Sequence, residues 1–203
     1  MNIWKKSAAL ILLCLLAMPA SARNILLVGD SISAAFGLEI DQGWVRLLEQ
    51  RLAEEDLPYE VVNASVSGDT TAGGLARLPA LLAEVKPELV VIELGGNDGL
   101  RALPVTNMQQ NLSAMVALSR EAGAEVILLG MRIPPNYGPR YSKAFEQAFV
   151  AVAEEHDVPL VPFLLEGVGG VKGMMQSDGV HPTAAAQPLL LDNAWPAIKQ
   201  ALE

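Results

Sequence analysis

Four polar, glycine-rich segments interrupt an otherwise apolar chain: Gly29-Asp30-Ser31, Asn63-Ala64-Ser65-Val66-Ser67-Gly68-Asp69, Gly95-Gly96-Asn97-Asp98 and Ser177-Asp178-Gly179-Val180-His181-Pro182. Together they contain what acyl transfer requires. A serine hydroxyl is a weak nucleophile until a base takes its proton. For Ser31 that base is His181, one of two histidines in the chain. Asp178 lies three residues earlier, so a single turn presents both side chains, the carboxylate fixing the imidazole tautomer and stabilising imidazolium. Ser, Asp, His is one of the chain orders in which such triads are built. A tetrahedral oxyanion also needs donors. The Asn97 side-chain amide, the backbone N–H of Gly68 with no Cβ in the way, and the backbone N–H of Ser31 supply three.

Each feature alone has a plainer reading. A serine after a strand commonly caps a helix, and Asn97 can cap the turn that follows it. Gly68 can simply hold a positive φ, and Asp178 with His181 can be a surface turn. Their convergence, each at a predicted strand end or a facing loop, favours the catalytic reading. His156, at a helix end after Glu154 and Glu155, reads as structural, suited to the helix dipole. Asp30, Asp69 and Asp98 with His181 suggest a metal phosphatase as a competing idea. A metal site does not explain the accompanying serine, glycine and asparagine, and neither metal nor cofactor is expected. The chain has no G-x-S-x-G elbow, no P-loop and no dinucleotide-binding glycine fingerprint.

The elements that must position these groups are legible as apolar patterns. Ile25–Val28, Tyr59–Val62, Leu89–Leu94, Val126–Leu129 and Leu160–Phe163 read as five strands. Between them, Trp44, Leu47, Leu48 and Leu52 recur at helical spacing, as do Leu75, Leu78, Leu81 and Leu82. Met108, Leu112, Met115 and Val116 mark a third helix, Tyr141, Phe145, Phe149 and Val152 a fourth, and Pro182 to about Leu202 contains the last. Nearly continuous apolar strands indicate a sheet buried on both faces. With helices between them, the economical fold is a three-layer α/β/α sandwich with a parallel sheet. Functional groups in such folds gather beyond the carboxyl ends of the strands.

The chain has 203 residues, 51% of them hydrophobic, and a formal charge of −9. Mean hydropathy is +0.32. These values exclude a disordered chain and argue against electrostatic binding to nucleic acid. Lys5 and Lys6, an apolar run from Ala8 to Met18, and Pro19-Ala20-Ser21-Ala22 describe a secretory signal peptide over residues 1–22. The run is short of the roughly 20 apolar residues of a transmembrane helix. Cleavage after Ala22 leaves residues 23–203 as one domain, takes the formal charge to −11 and removes Cys14, the only cysteine. An exported, thiol-free protein has no cysteine nucleophile.

The set Gly29-Asp30-Ser31, Gly68, Gly96-Asn97-Asp98 and Asp178-x-x-His181 resembles the four blocks of the SGNH (GDSL) hydrolases, over essentially the whole mature chain. Val62–Ser65, Gly74–Pro79, Glu93–Arg101 and Pro135–Gly138 sharpen the likeness to the bacterial periplasmic multifunctional thioesterase I/lysophospholipase/arylesterase subgroup. Ile32 stands where the family's motif has leucine, a conservative departure. The resemblance implies a flavodoxin-like sheet of order 2-1-3-4-5, a Ser31–His181–Asp178 triad, and an oxyanion hole of Ser31, Gly68 and Asn97. It also implies that Gly99, Leu100, Arg101 and Leu103 belong to a mobile substrate-binding loop; an ordinary strand–helix connection is the alternative. Leu100, Leu103, Ile133, Met174 and Met175 either line an acyl channel or pack against the sheet. The expected activity is a serine carboxylic-ester hydrolase acting on small-molecule or lipid esters and thioesters. A monomer in the periplasm or outside the cell, without a stable membrane anchor, is expected. A carbohydrate acetyl esterase and a non-catalytic periplasmic binding protein are the rival readings.

Overall fold

The structure is a computed structural model and describes residues 23–203. The signal-peptide expectation therefore lies outside the described residues. Five parallel strands form one sheet in the order β2-β1-β3-β4-β5. They are β1 (Arg23–Gly29), β2 (Tyr59–Asn63), β3 (Leu89–Glu93), β4 (Glu125–Leu129) and β5 (Leu160–Val161). The helices are α1 (Trp44–Glu54), α2 (Thr71–Val85), α3 (Gly96–Leu100), α4 (Val105–Glu121), α5 (Pro139–His156) and α6 (Gln187–Leu202). Helix α1 packs on α6, and α4 packs on both α2 and α5, giving the two helical layers of an α/β/α sandwich.

The apolar runs explain the layering. Ile25–Val28, Leu89–Ile92 and Val126–Leu129 are buried throughout, as strands covered on both faces must be. At the sheet edge, Val61 and Val62 of β2 are only half-buried. Helices present Leu48 and Leu52, Leu112 and Met115, Phe145 and Phe149, or Leu191 and Ala194 to the same core. The register aligns Gly29 of β1 with Glu93 of β3 and Leu27 of β1 with Asn63 of β2. That alignment brings the first three polar segments to one edge of the sheet.

Two elements differ from the sequence reading. The fifth strand stops at Val161 instead of reaching Phe163. Pro162 has no N–H for the ladder, and the chain leaves the sheet there. The apolar patterns also leave out a short helix around Asn97, Gly96–Leu100. Its two glycines weaken helical propensity, and tertiary bonds supply the hold. Asp98, 4% exposed, accepts from Thr71 N–H at 2.9 Å and Thr71 Oγ1 at 2.6 Å, tying α3 to the start of α2.

Candidate active site

Ser31 follows the end of β1, where the chain turns at once: Ala34 N–H donates to the Asp30 carbonyl and Phe36 N–H to the Ser31 carbonyl. Both bonds are 3.0 Å. This turn leaves Ser31, 8% exposed as a residue, lining the pocket. Arg77 of α2 pins the strand ends beneath it, donating to the Ala64 and Gly29 carbonyls and to Asp69 Oδ2.

The C-terminal segment brings the base to the serine. His181 Nε2 lies 2.9 Å from Ser31 Oγ, and His181 Nδ1 lies 2.7 Å from Asp178 Oδ2. The other Asp178 oxygen accepts the backbone N–H groups of Val180 and His181 at 2.9 and 3.0 Å. The His181 side-chain hydrogen bond, followed by these two backbone bonds, holds the Asp178 carboxyl down at about 2. Phe36 lays its ring 4.5 Å from the imidazole, in a tilted stack.

The three expected oxyanion donors have distinct surroundings. Among the described residues, neither Ser31 N–H nor Gly68 N–H donates to a protein acceptor. Gly68 sits at φ +79°, a conformation that suits glycine, in the turn after β2. Asn97, at the start of α3, donates one Nδ2 hydrogen to Asp30 Oδ2 at 3.1 Å and has a second hydrogen left.

Beneath these groups lies a buried carboxyl pair that the motif reading overlooked. Glu93 is fully buried, and its Oε2 accepts from Ser33 Oγ at 2.7 Å and Asp30 N–H at 3.2 Å. Trp44 Nε1 donates in turn to Ser33 Oγ. Burial, then the nearby Asp30 charge, holds the Glu93 carboxyl well above its ordinary range. Burial also pushes Asp30 up to about 6, against bonds from Ile32 N–H and Asn97 and the field of His181. A glutamate inside the apolar run Leu-Val-Val-Ile-Glu-Leu was the available signal for Glu93.

A cavity of about 610 Å³ opens over Ser31 and His181. Its apolar walls include Leu100, Ile133, Pro134, Phe163, Leu165 and Met175. Of the expected substrate-binding loop, Leu100 lines this cavity. Gly99 is packed inward, where a Cβ would stand 2.5 Å from the Ile133 side chain and 2.7 Å from the Phe145 ring. Arg101 turns to the Gly68 carbonyl, and Leu103 is exposed at 38%. Tyr137 and Tyr141 hold the Leu100 and Leu103 carbonyls by their hydroxyls at 2.7 and 2.8 Å.

The remaining candidates have other tasks. Asp69 pairs with Arg77, Asp98 serves Thr71, and His156 meets Ser113 Oγ at 2.6 Å from the last turn of α5.

The sequence model of the GDSL-like lipase/acylhydrolase family matches residues 27–188, which include every residue of this cluster. The chain belongs to that family. Esterase TesA of Pseudomonas aeruginosa is 63% identical over 190 residues, covering 94% of each chain. Thioesterase 1/protease 1/lysophospholipase L1 of Escherichia coli K12 is 42% identical over 192 residues, covering 94% of this chain and 91% of the relative. A crystal structure of TesA, 63% identical, superposes with a TM-score of 0.87 over 88% of this chain and 99% of its own. As a GDSL hydrolase the chain is an enzyme with the SGNH hydrolase fold, and its sheet order is the one the family resemblance implies.

Proposed function

We propose that this GDSL hydrolase cleaves esters and thioesters through a covalent acyl-enzyme on Ser31. The observation that carries the reading is the unbroken hydrogen-bond chain from Ser31 through His181 to Asp178, opening into an apolar cavity. Ser31 Oγ attacks the substrate carbonyl while His181 Nε2 takes its proton. Asp178 Oδ2, accepting from Nδ1–H, keeps the imidazole in the tautomer that can receive that proton. The tetrahedral oxyanion is held by Ser31 N–H, Gly68 N–H and Asn97 Nδ2–H, each giving more to the developing charge than to a neutral carbonyl. The intermediate collapses, and the alcohol or thiol leaves with the proton from His181 where it needs one. Water, activated by the same imidazole, then releases the acid and restores Ser31.

The apolar cavity favours acyl chains of some length, including those of lipid esters, and the names of the two relatives agree with that range. The basic start, apolar run and Ala20-Ser21-Ala22 end of the sequence support export to the periplasm after cleavage behind Ala22. Cleavage there keeps the whole of β1, Arg23–Gly29, in a mature single domain. We take that domain to act as a monomer. Among the described residues, no helix is long and apolar enough to cross a membrane.

Hydrolysis of a p-nitrophenyl ester series, lysophospholipid and palmitoyl-CoA by wild type and Ser31→Ala tests the reading. Activity that favours longer chains and vanishes in the variant supports it. A preference confined to acetylated sugars would assign a carbohydrate esterase instead, and near-normal activity in Ser31→Ala would end the triad assignment.

A further inference from the structure

We infer that Asp30 is a positioning residue that fixes which end of the Asn97 side-chain amide faces the oxyanion. The inference rests on the proposed role of Asn97 as an oxyanion donor and asks what holds that donor in place. A primary amide can rotate by half a turn and present either its oxygen or its NH2 group at one position, and only its partners decide between them. Here the partner is Asp30, 2% exposed and lining the cavity next to Asn97. Asp30 Oδ1 is committed to Ile32 N–H at 3.0 Å, which locks the carboxylate and aims Oδ2 at Asn97 Nδ2, 3.1 Å away. An ionised carboxylate only accepts, so it selects the NH2 end of the amide and leaves the second hydrogen for the substrate oxygen.

The surroundings reinforce the arrangement. Gly96 stands against the same oxygen, and a Cβ there would lie 3.2 Å from Asp30 Oδ2. Glu93 of β3 accepts the Asp30 backbone N–H at 3.2 Å and fixes the residue from below. The titratable groups facing Asp30 are Glu93 from β3, Asp69 from the turn after β2, and His181 from the C-terminal segment.

Asp30→Asn distinguishes this role from simple packing. The introduced amide oxygen can keep the Ile32 N–H bond, which turns its own NH2 group toward Asn97. Two donors then face each other, and the Asn97 amide rotates to bring its carbonyl to the oxyanion. The isosteric change is therefore expected to be more harmful than Asp30→Ala, which removes the acceptor without adding a donor. A packing role predicts the reverse order.

The deciding experiment is a double-mutant cycle on kcat and KM for a short p-nitrophenyl ester, with folding of each variant checked by circular dichroism and thermal melting. Asn97→Ala is expected to lose about 10²–10³ in kcat. Asp30→Asn should lose at least as much with KM unchanged, and the double variant should be no worse than Asp30→Asn alone. Additive losses, or a mild Asp30→Asn beside a severe Asp30→Ala, would overturn the positioning role and leave the oxyanion hole standing. Full kcat in Asn97→Ala would overturn the oxyanion assignment itself, and the inference with it.

Discussion

Arg101 Nη2 donates to the Gly68 carbonyl oxygen at 2.8 Å, fastening the segment behind α3 to the turn that carries one proposed oxyanion donor. The guanidinium holds the carbonyl of the same residue whose N–H is needed at the substrate. Arg101→Ala should lower kcat by up to roughly tenfold, the scale of one hydrogen bond, with little change in stability. Steady-state kinetics beside a thermal melt check this. A loss seen only in KM would instead place Arg101 in substrate binding.

Asp178→Asn tests the proposed orienting carboxylate. The side-chain oxygen of the introduced amide can still accept the Val180 and His181 backbone N–H groups that now bind Asp178 Oδ1. Its NH2 group then faces His181 Nδ1, which must become an acceptor, and the proton moves to Nε2. That tautomer cannot take the Ser31 proton. A fall in kcat on the order of 10⁴, with native circular dichroism, is expected.

Gly99→Ala should destabilise the fold. The added methyl would meet Ile133 and Phe145 at 2.5 and 2.7 Å. Overpacking of this kind costs about 1–3 kcal/mol, read as a lower urea midpoint at constant slope. Unchanged stability would return Gly99 to the substrate-contact role that the family resemblance implies.

The Asp30 carboxyl makes stability depend on pH. Its folded value of about 6 lies above its ordinary 3.8. Its contribution is therefore fully present below pH 3.8 and is lost as pH rises through about 6. Asp178 has the opposite sign: lowered to about 2, it stabilises above its ordinary 3.8 and loses that contribution as pH falls toward 2, outside this window. Urea unfolding at about pH 4 and about pH 7.5, on either side of the Asp30 titration, should show Asp30→Asn gaining stability relative to wild type at the higher pH. A constant difference between the two proteins would contradict the buried-carboxylate account.

The sheet was readable because burial on both faces writes itself as unbroken runs such as Leu-Leu-Val and Leu-Val-Val-Ile. The placement of Ser31 and Asn97 at one edge follows from where those runs stop, whereas His181, twenty residues beyond Val161 of β5, arrives on a loop that no strand end announces. Other features depend on contacts between distant segments. Helix α3 has poor local propensity and is held through Asp98 and Thr71. Tyr141 fits a core-facing helical pattern, yet its hydroxyl reaches the Leu103 carbonyl. Glu93 counted as one strand residue, and only the register opposite Gly29 shows it beneath the Asp30–Ser31 turn. Gly99, Arg101 and Leu103 could not be separated from Leu100 by sequence, since their differing directions arise from a single short turn.

The most direct measurement of the central claim is mass-spectrometric mapping of the protein after reaction with a fluorophosphonate. One phosphonyl group on Ser31, with no adduct in Ser31→Ala and slow labelling in Asp178→Asn, is the predicted result. An adduct that persists in folded Ser31→Ala, or active wild-type enzyme that takes up no label, would contradict Ser31 as the nucleophile.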